Sequence, residues 1–191
     1  MSDKYLEYKE ILQKRLTPKR YNHSLCVADE AERLAKKYGG DSEKAYLAGL
    51  LHDVTKNASK EEHLNIFSQF GIMLNDIEKS AEKLWHAISG AAYVEHILGI
   101  KDSEIISAIR CHTTAKENMS HFEKILYLAD FTSLDRDYDD IDIMRQKVEI
   151  SMEEAISYAL SYTINDLVSQ GKQLHLDTVL AYNQYVLKGE E

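Results

Sequence analysis

Helix boundaries recur through this 191-residue chain with a regularity that leaves little room for any other element. Asp41 stands before "SEKAYLAGLL", and Ser59, Asn75, Ser120 and Ser151 are each followed three residues on by an acid: Glu62, Glu78, Glu123 and Glu154. A short polar side chain at such a point accepts the free backbone N–H groups of a first helical turn, and the acid reaches back to the cap's own N–H. Gly39, Gly71, Gly99 and Gly171 each follow a segment of helical period, where a left-handed residue closes a helix. No segment alternates apolar and polar residues as a half-buried strand does, no Asn-Gly or Asp-Gly hairpin signal occurs, and a single Pro leaves long elements unbroken. The chain is therefore expected to be all-α and one domain over 1–191. Helices are predicted at about 3–14, 18–38, 42–57, 59–70, 75–98, 103–114, 121–134, 142–168 and 177–188, with breaks before His86 and near Ser151.

A net charge of −9 excludes a general binder of nucleic-acid polymers, whose affinity rests on neutralising phosphates, so an anionic substrate needs a local basic pocket. Cys26 and Cys111 have neither the number nor the spacing of a disulfide framework or a zinc knuckle and are read as reduced, buried thiols. The start "MSDKYLEYKEIL" lacks an apolar signal core, and the longest apolar run, "AYLAGLL" at 45–51, is too short to cross a bilayer. These features predict a soluble, cytoplasmic protein with no membrane partner; a homodimer is left open. The acidic "DRDYDDID" at 135–142 reads as a loop over a site or as a solvated connection.

Helical phase divides the eight histidines. His23 shares a face with Val27, Ala31 and Leu34; His52 follows Ala45 and Ala48 in a helix apolar almost all round; His86 shares a face with Gly90, Tyr93 and Ile97; His112 follows Ile105, Ala108 and Ile109. All four are expected to face inward. Asp130 lies between Leu126, Tyr127 and Leu134 on an inward stripe, where a lone carboxylate is expensive. His63, His96 and His121 sit among polar neighbours and read as surface residues, and His175 falls in a short loop with no assigned role. Any one inward histidine is more often a satisfied core imidazole than a ligand. Four of them with Asp53 and Asp130, on five helices, are costly together unless they converge on a cation. Imidazole and carboxylate donors without thiolate suit Fe, Mn, Co or Zn. His52 and Asp53 project about 100° apart on a helix, so one site can use both only at that helix edge.

The order His23, His52-Asp53, Asp130 resembles the HD superfamily of metal-dependent phosphohydrolases, and the intervening His86 and His112 resemble its two-metal members. More narrowly, "RYNHS", "LLHDVTKN", "HAISGAA", "AIRCHTTAKENMS", "ILYLADFTSLDRD" and "GKQLH" are similar in order and spacing to the YqeK-type symmetrical diadenosine-tetraphosphatases, over about residues 18–188. The resemblance implies an HD-type helical bundle. It places His23, His52, Asp53 and Asp130 around one ion and Asp53, His86 and His112 around a second, the metal typically being iron. It sets Arg20, Lys56, Thr113, Thr114, Arg136 and His175 on the phosphate or nucleotide side, with Asp53, Lys56 and Arg136 as catalytic residues. The departures fall on the rim: Ala87-Ile88, Ala115-Lys116-Glu117 and Ser133-Leu134-Asp135 replace Gly- and Pro-rich segments of relatives.

Two ions a few ångströms apart can acidify a bridging water, direct hydroxide in line to a phosphorus and stabilise both oxygens of the displacement. Lys56 four residues after His52, Arg20 three before His23 and Arg136 six after Asp130 can form a basic rim. The resulting expectation is symmetrical hydrolysis of diadenosine tetraphosphate to two ADP by a metal-bridging hydroxide. The alternatives are another HD-type nucleotidase or phosphodiesterase, or a non-catalytic module that binds metal and nucleotide.

Overall fold

The structure, a computed structural model, describes residues 4–188, and every regular element among them is helical. In chain order these are α1 (Leu6–Arg15), α2 (Pro18–Tyr38), α3 (Ser42–Leu51), α4 (Lys60–Gln69), α5 (Asp76–Ser80), α6 (Trp85–Ala92), α7 (Ser103–Cys111), α8 (His121–Thr132), α9 (Ile141–Ile150), α10 (Met152–Ser169) and α11 (Leu176–Lys188). A 3-10 turn (Glu82–Leu84) leads into α6 and a π turn (Tyr93–Ile97) leaves it. None of these helices is long and apolar enough to cross a membrane.

The caps read from sequence act as caps. Asp41 accepts from the Lys44 N–H at 3.0 Å, Ser59 from Glu62 at 3.1 Å and Ser151 from Glu154 at 3.3 Å, while Asn75 with Glu78 and Ser120 with Glu123 form reciprocal boxes. Three expected helices end early, each where a cap or a tight closure takes over the backbone. The helix expected over 42–57 stops at Leu51, and 52–58 closes by three-residue bonds from Val54 to Leu51 (3.1 Å), Lys56 to Asp53 (2.8 Å) and Ala58 to Thr55 (2.9 Å). α7 stops at Cys111 instead of 114. α8 stops at Thr132, because Ser133 turns extended (ψ 151°), so Leu134 is 84% exposed and does not continue the inward stripe of Asp130. The segment 75–98 divides into α5, the 3-10 turn, α6 and the π turn, which leaves Ile97 exposed rather than on the face of His86. The expected 142–168 helix is broken at Ser151, the cap of α10. The predicted start at residue 3 falls outside the described residues.

The core is centred on α8, whose Ile125, Leu126, Tyr127, Leu128 and Ala129 are at most 1% exposed, with α2 and α3 beside it. α2 and α3 make their closest approach at Gly49, where an added Cβ would lie 2.7 Å from the Ala28 Cα and 2.8 Å from the Val27 carbonyl oxygen. Helix backbones meet at that distance only when one side lacks a side chain. The two helices run in opposite directions, so moving three residues along α3 from Gly49 brings His52 against His23, with ring centroids 5.2 Å apart.

Gly49→Val is expected to destabilise the protein by about 1–3 kcal/mol through overpacking. Chemical denaturation should show a lowered midpoint at unchanged slope; a midpoint equal to wild type would mean that α2 and α3 do not meet there.

Candidate metal centre

Six side chains from five helices meet at one end of the bundle. α2 supplies His23, the end of α3 supplies His52 and Asp53, α6 supplies His86, the end of α7 supplies His112 and α8 supplies Asp130. Asp53 is the hub. Its Oδ1 lies 3.2 Å from His86 Nε2 and 3.6 Å from His112 Nε2, its Oδ2 lies 3.7 Å from His52 Nε2, and the two outer imidazole nitrogens are 3.3 Å apart. On the other side His23 Nε2 is 3.0 Å and His52 Nε2 3.9 Å from Asp130 Oδ1. Donor atoms of His23, His52 and Asp130 lie within 4.8 Å of one another, as do those of His52, Asp53 and His112. His52 and Asp53, adjacent in the chain, both reach the centre from the edge where α3 ends and three-residue bonds tighten the backbone.

The same local device orients two of the histidines. His52 and His112 each follow the last residue of a helix, and each Nδ1–H donates at 2.7 Å to a carbonyl three residues back, Gly49 and Ile109. Carbonyls of a last turn have no partner within the helix, so they are available for this bond. It fixes the tautomer and turns the Nε2 lone pair into the centre. Burial pushes His52 down to about 3 and His86 down to about 4, so both imidazoles are neutral. Burial pushes Asp53 up, but facing His52, His112, His86 and Lys56 outweigh it and hold the carboxylate well below its usual range. Asp130 is likewise raised by burial and drawn well below its usual range by Arg136 and His23. His52 Nε2 and Asp53 Oδ1 are buried and have no hydrogen bond of acceptable geometry with any protein group. Orphaned acceptors beside the neutral nitrogens of His52 and His86 and two ionised carboxylates fit metal ions.

His23 has a support that sequence phase did not show. Its Nδ1 bonds Asp135 Oδ2 at 2.9 Å, and the Ser133 hydroxyl donates to Asp135 Oδ1 at 2.8 Å. Asp135 opens the acidic stretch, so that stretch is in part a loop over the site. Burial pulls His23 down, yet the paired carboxylates raise it overall.

The expected rim residues fall into two groups. Lys56 Nζ donates to His86 Nε2 at 2.9 Å, Arg20 Nη1 lies 3.6 Å from Asp53 Oδ2, and Arg136 bonds Asp130 through both Nη2 and, at 2.7 Å to the backbone carbonyl, Nε. These cations touch ligand atoms directly. One lone pair serves one partner, so Lys56 must turn away for His86 to bind a metal. Thr113, Thr114 and His175 instead line a separate cavity of about 740 Å³ that begins beside His112. The Thr113 hydroxyl is buried there without a partner, whereas the Thr114 hydroxyl donates to the Ala115 carbonyl at 2.9 Å.

His63 is not a surface residue. It is buried, with Nδ1 2.8 Å from the Ser89 hydroxyl and its ring beside Phe67 and Trp85, because α4 turns that face onto α6 despite its polar neighbours in sequence. His175 is also buried, between Asn75 (3.4 Å) and Glu78 (3.7 Å), and its Nδ1 accepts from the Asp177 N–H at 3.2 Å in the first turn of α11. His96 and His121 are exposed, as expected. Both cysteines are free; Cys111 is buried but Cys26 only half-buried, on the outer edge of α2.

Residues 20–135 match the HD domain family. A symmetrical bis(5'-nucleosyl)-tetraphosphatase of Halalkalibacterium halodurans is 35% identical over 94% of this chain and 95% of its own length. A protein of the same name from Bacillus subtilis is 33% identical over 92% of this chain and 94% of its own. A crystal structure from Clostridium acetobutylicum, described as a "predicted HD superfamily hydrolase involved in NAD metabolism", superposes with a TM-score of 0.93 at 34% identity, covering 97% of this chain and 98% of that one. Six convergent histidine and aspartate side chains in HD order, on a fold shared along nearly the whole length of these relatives, leave one conclusion: the chain belongs to the HD-domain family and, within it, to the group of symmetrical bis(5'-nucleosyl)-tetraphosphatases.

Proposed function

We propose that this protein hydrolyses diadenosine tetraphosphate symmetrically to two ADP. The observation that carries the reading is the cluster around Asp53, with buried acceptors that no protein donor satisfies. In this reading His23, His52, Asp53 and Asp130 hold one divalent ion and Asp53, His86 and His112 a second, iron first, with Mn, Co or Zn suited to the same donors. Bound there, two ions supply Lewis acidity to a water and to phosphoryl oxygens.

The chain's own groups supply the rest. Arg136, Lys56 and Arg20 reach the cluster from outside and can exchange a carboxylate or imidazole partner for phosphate oxygens, Arg136 with two parallel donors. Burial lowers the Lys56 pKa, so its proton is held less firmly than on a surface lysine. The cavity beside Thr113 is large enough for a nucleoside, with Thr113 and His175 in its lining. Water adds to an inner phosphorus and gives up a proton to solvent, the bridging anhydride P–O bond breaks, and its electron pair leaves on the terminal oxygen of the departing ADP. Asp135 and Ser133 keep the His23 ring from rotating out of the site.

Elemental analysis should find close to two transition-metal ions per chain, and Asp53→Ala should lose both ions together with activity. One tightly bound ion in wild type, or an active Asp53→Ala, contradicts the shared carboxylate. Lys56→Ala and Arg136→Ala are expected to keep the metal content near wild type while turnover falls about a hundredfold; loss of metal in either would make it a support of the ligands rather than a substrate contact. Chromatography of an early time point should show ADP alone, with heavy oxygen from labelled water in one of the two molecules. ATP with AMP as first products would refute symmetrical cleavage, and turnover of mononucleotides alone would move the protein to another HD-type activity.

A further inference from the structure

Two cavities meet at the 3-10 turn Glu82–Leu84. The smaller, of about 330 Å³, lies over the cluster between Arg20, Lys56 and His86; the larger is the one of about 740 Å³ beside Thr113; Glu82 and Lys83 line both. Lys83 is exposed and makes no hydrogen bond or ion pair among the described residues. Its neighbours are engaged: Lys60 bonds Glu82, and Lys56 bonds His86. Because Lys60 neutralises Glu82, the junction carries the uncompensated positive charge of Lys83. The turn that bears it is anchored, since the Leu84 N–H donates to Ala81 at 2.9 Å and the buried Trp85 indole donates to the Glu78 carbonyl at 2.6 Å. Lys83 stands three residues ahead of His86, so its base is fixed relative to the cluster while its ammonium is free to move.

We propose that Lys83 is a substrate-binding residue that holds the polyphosphate chain where it passes from the metal centre to the nucleoside cavity. The inference rests on the function proposed above. A bridge cut at its middle must extend past the cluster on both sides. On the side of the larger cavity the phosphate next to the nucleoside crosses the junction, where Lys83 lines both cavities and has no partner among the described residues. A flexible ammonium suits this task, because the anion there is held but does not react. The contact is present before and during reaction alike, so it contributes to binding rather than to the chemical step.

The test is to titrate metal-loaded wild-type protein, Lys83→Gln and Lys83→Arg with ADP by calorimetry, and to measure kcat and KM for diadenosine tetraphosphate. Lys83→Gln should bind ADP about tenfold more weakly and raise KM by a similar factor, with kcat and metal content within about twofold of wild type, and Lys83→Arg should restore both. Unchanged ADP affinity and KM in Lys83→Gln would overturn the assignment, as would a loss confined to kcat. If wild-type protein binds ADP yet leaves the dinucleotide intact, the proposed activity falls and the ADP titration still decides the role of Lys83.

Discussion

Taking a carboxylate out of water costs several kcal/mol unless charge or hydrogen bonds answer it, and Asp53 is 1% exposed while remaining ionised. Within the protein the cations Lys56 and Arg20 face it, at 3.5 and 3.6 Å, and the Nε2 atoms of His52, His86 and His112 surround it at 3.2–3.7 Å. The fold has to bring these elements to one point, and its unusual local features serve that requirement. Gly49 lets α2 and α3 approach until His23 meets His52. Tight turns after Leu51 carry Asp53, and the Thr55 hydroxyl in those turns donates to the His86 carbonyl at 2.9 Å, tying the segment to α6.

Burial keeps the His52 and His86 imidazoles neutral, and the carboxylates of Asp53 and Asp130 stay ionised despite burial, Asp53 with Lys56 and Asp130 with Arg136 among the groups that hold them so. Lys56 and Arg136 therefore have two linked roles. They stabilise the negative charges of Asp53 and Asp130 within the protein, and in the proposed function they also receive phosphate. On a chain of net charge −9 these few inward cations would supply the local basic charge that the proposed anionic substrate needs.

The helical architecture was legible because caps act locally. Asp41, Asn75 and Ser120 each bond an N–H group three residues away, so their effect is written in nearby letters. The inward set His23, His52, His86, His112 and Asp130 was legible from periodicity for the same reason, and the order of these residues carried the family. Helical phase misread His63 and left His175 undecided because each is buried by an element distant in sequence, α6 in one case and α5 in the other. Polar neighbours along the chain say nothing about such a contact. Asp135 was visible only as part of an acidic run, since its bond to His23 spans 112 residues.

Sequence by itself determined that the chain is helical, where most helices begin, and which side chains are too polar for the faces they occupy. Those properties depend on the backbone's own hydrogen bonds and on helical phase, which extend over a few residues. Tertiary structure alone decided that Asp53 is shared among three histidines, that Lys56 and Arg136 lie on the ligand atoms, and that two cavities join at Lys83. These depend on where helices stop and how closely they pack. A one-residue change in a helix end rotates every later side chain by about 100°, so convergence is a property of the assembled bundle and not of any segment of it.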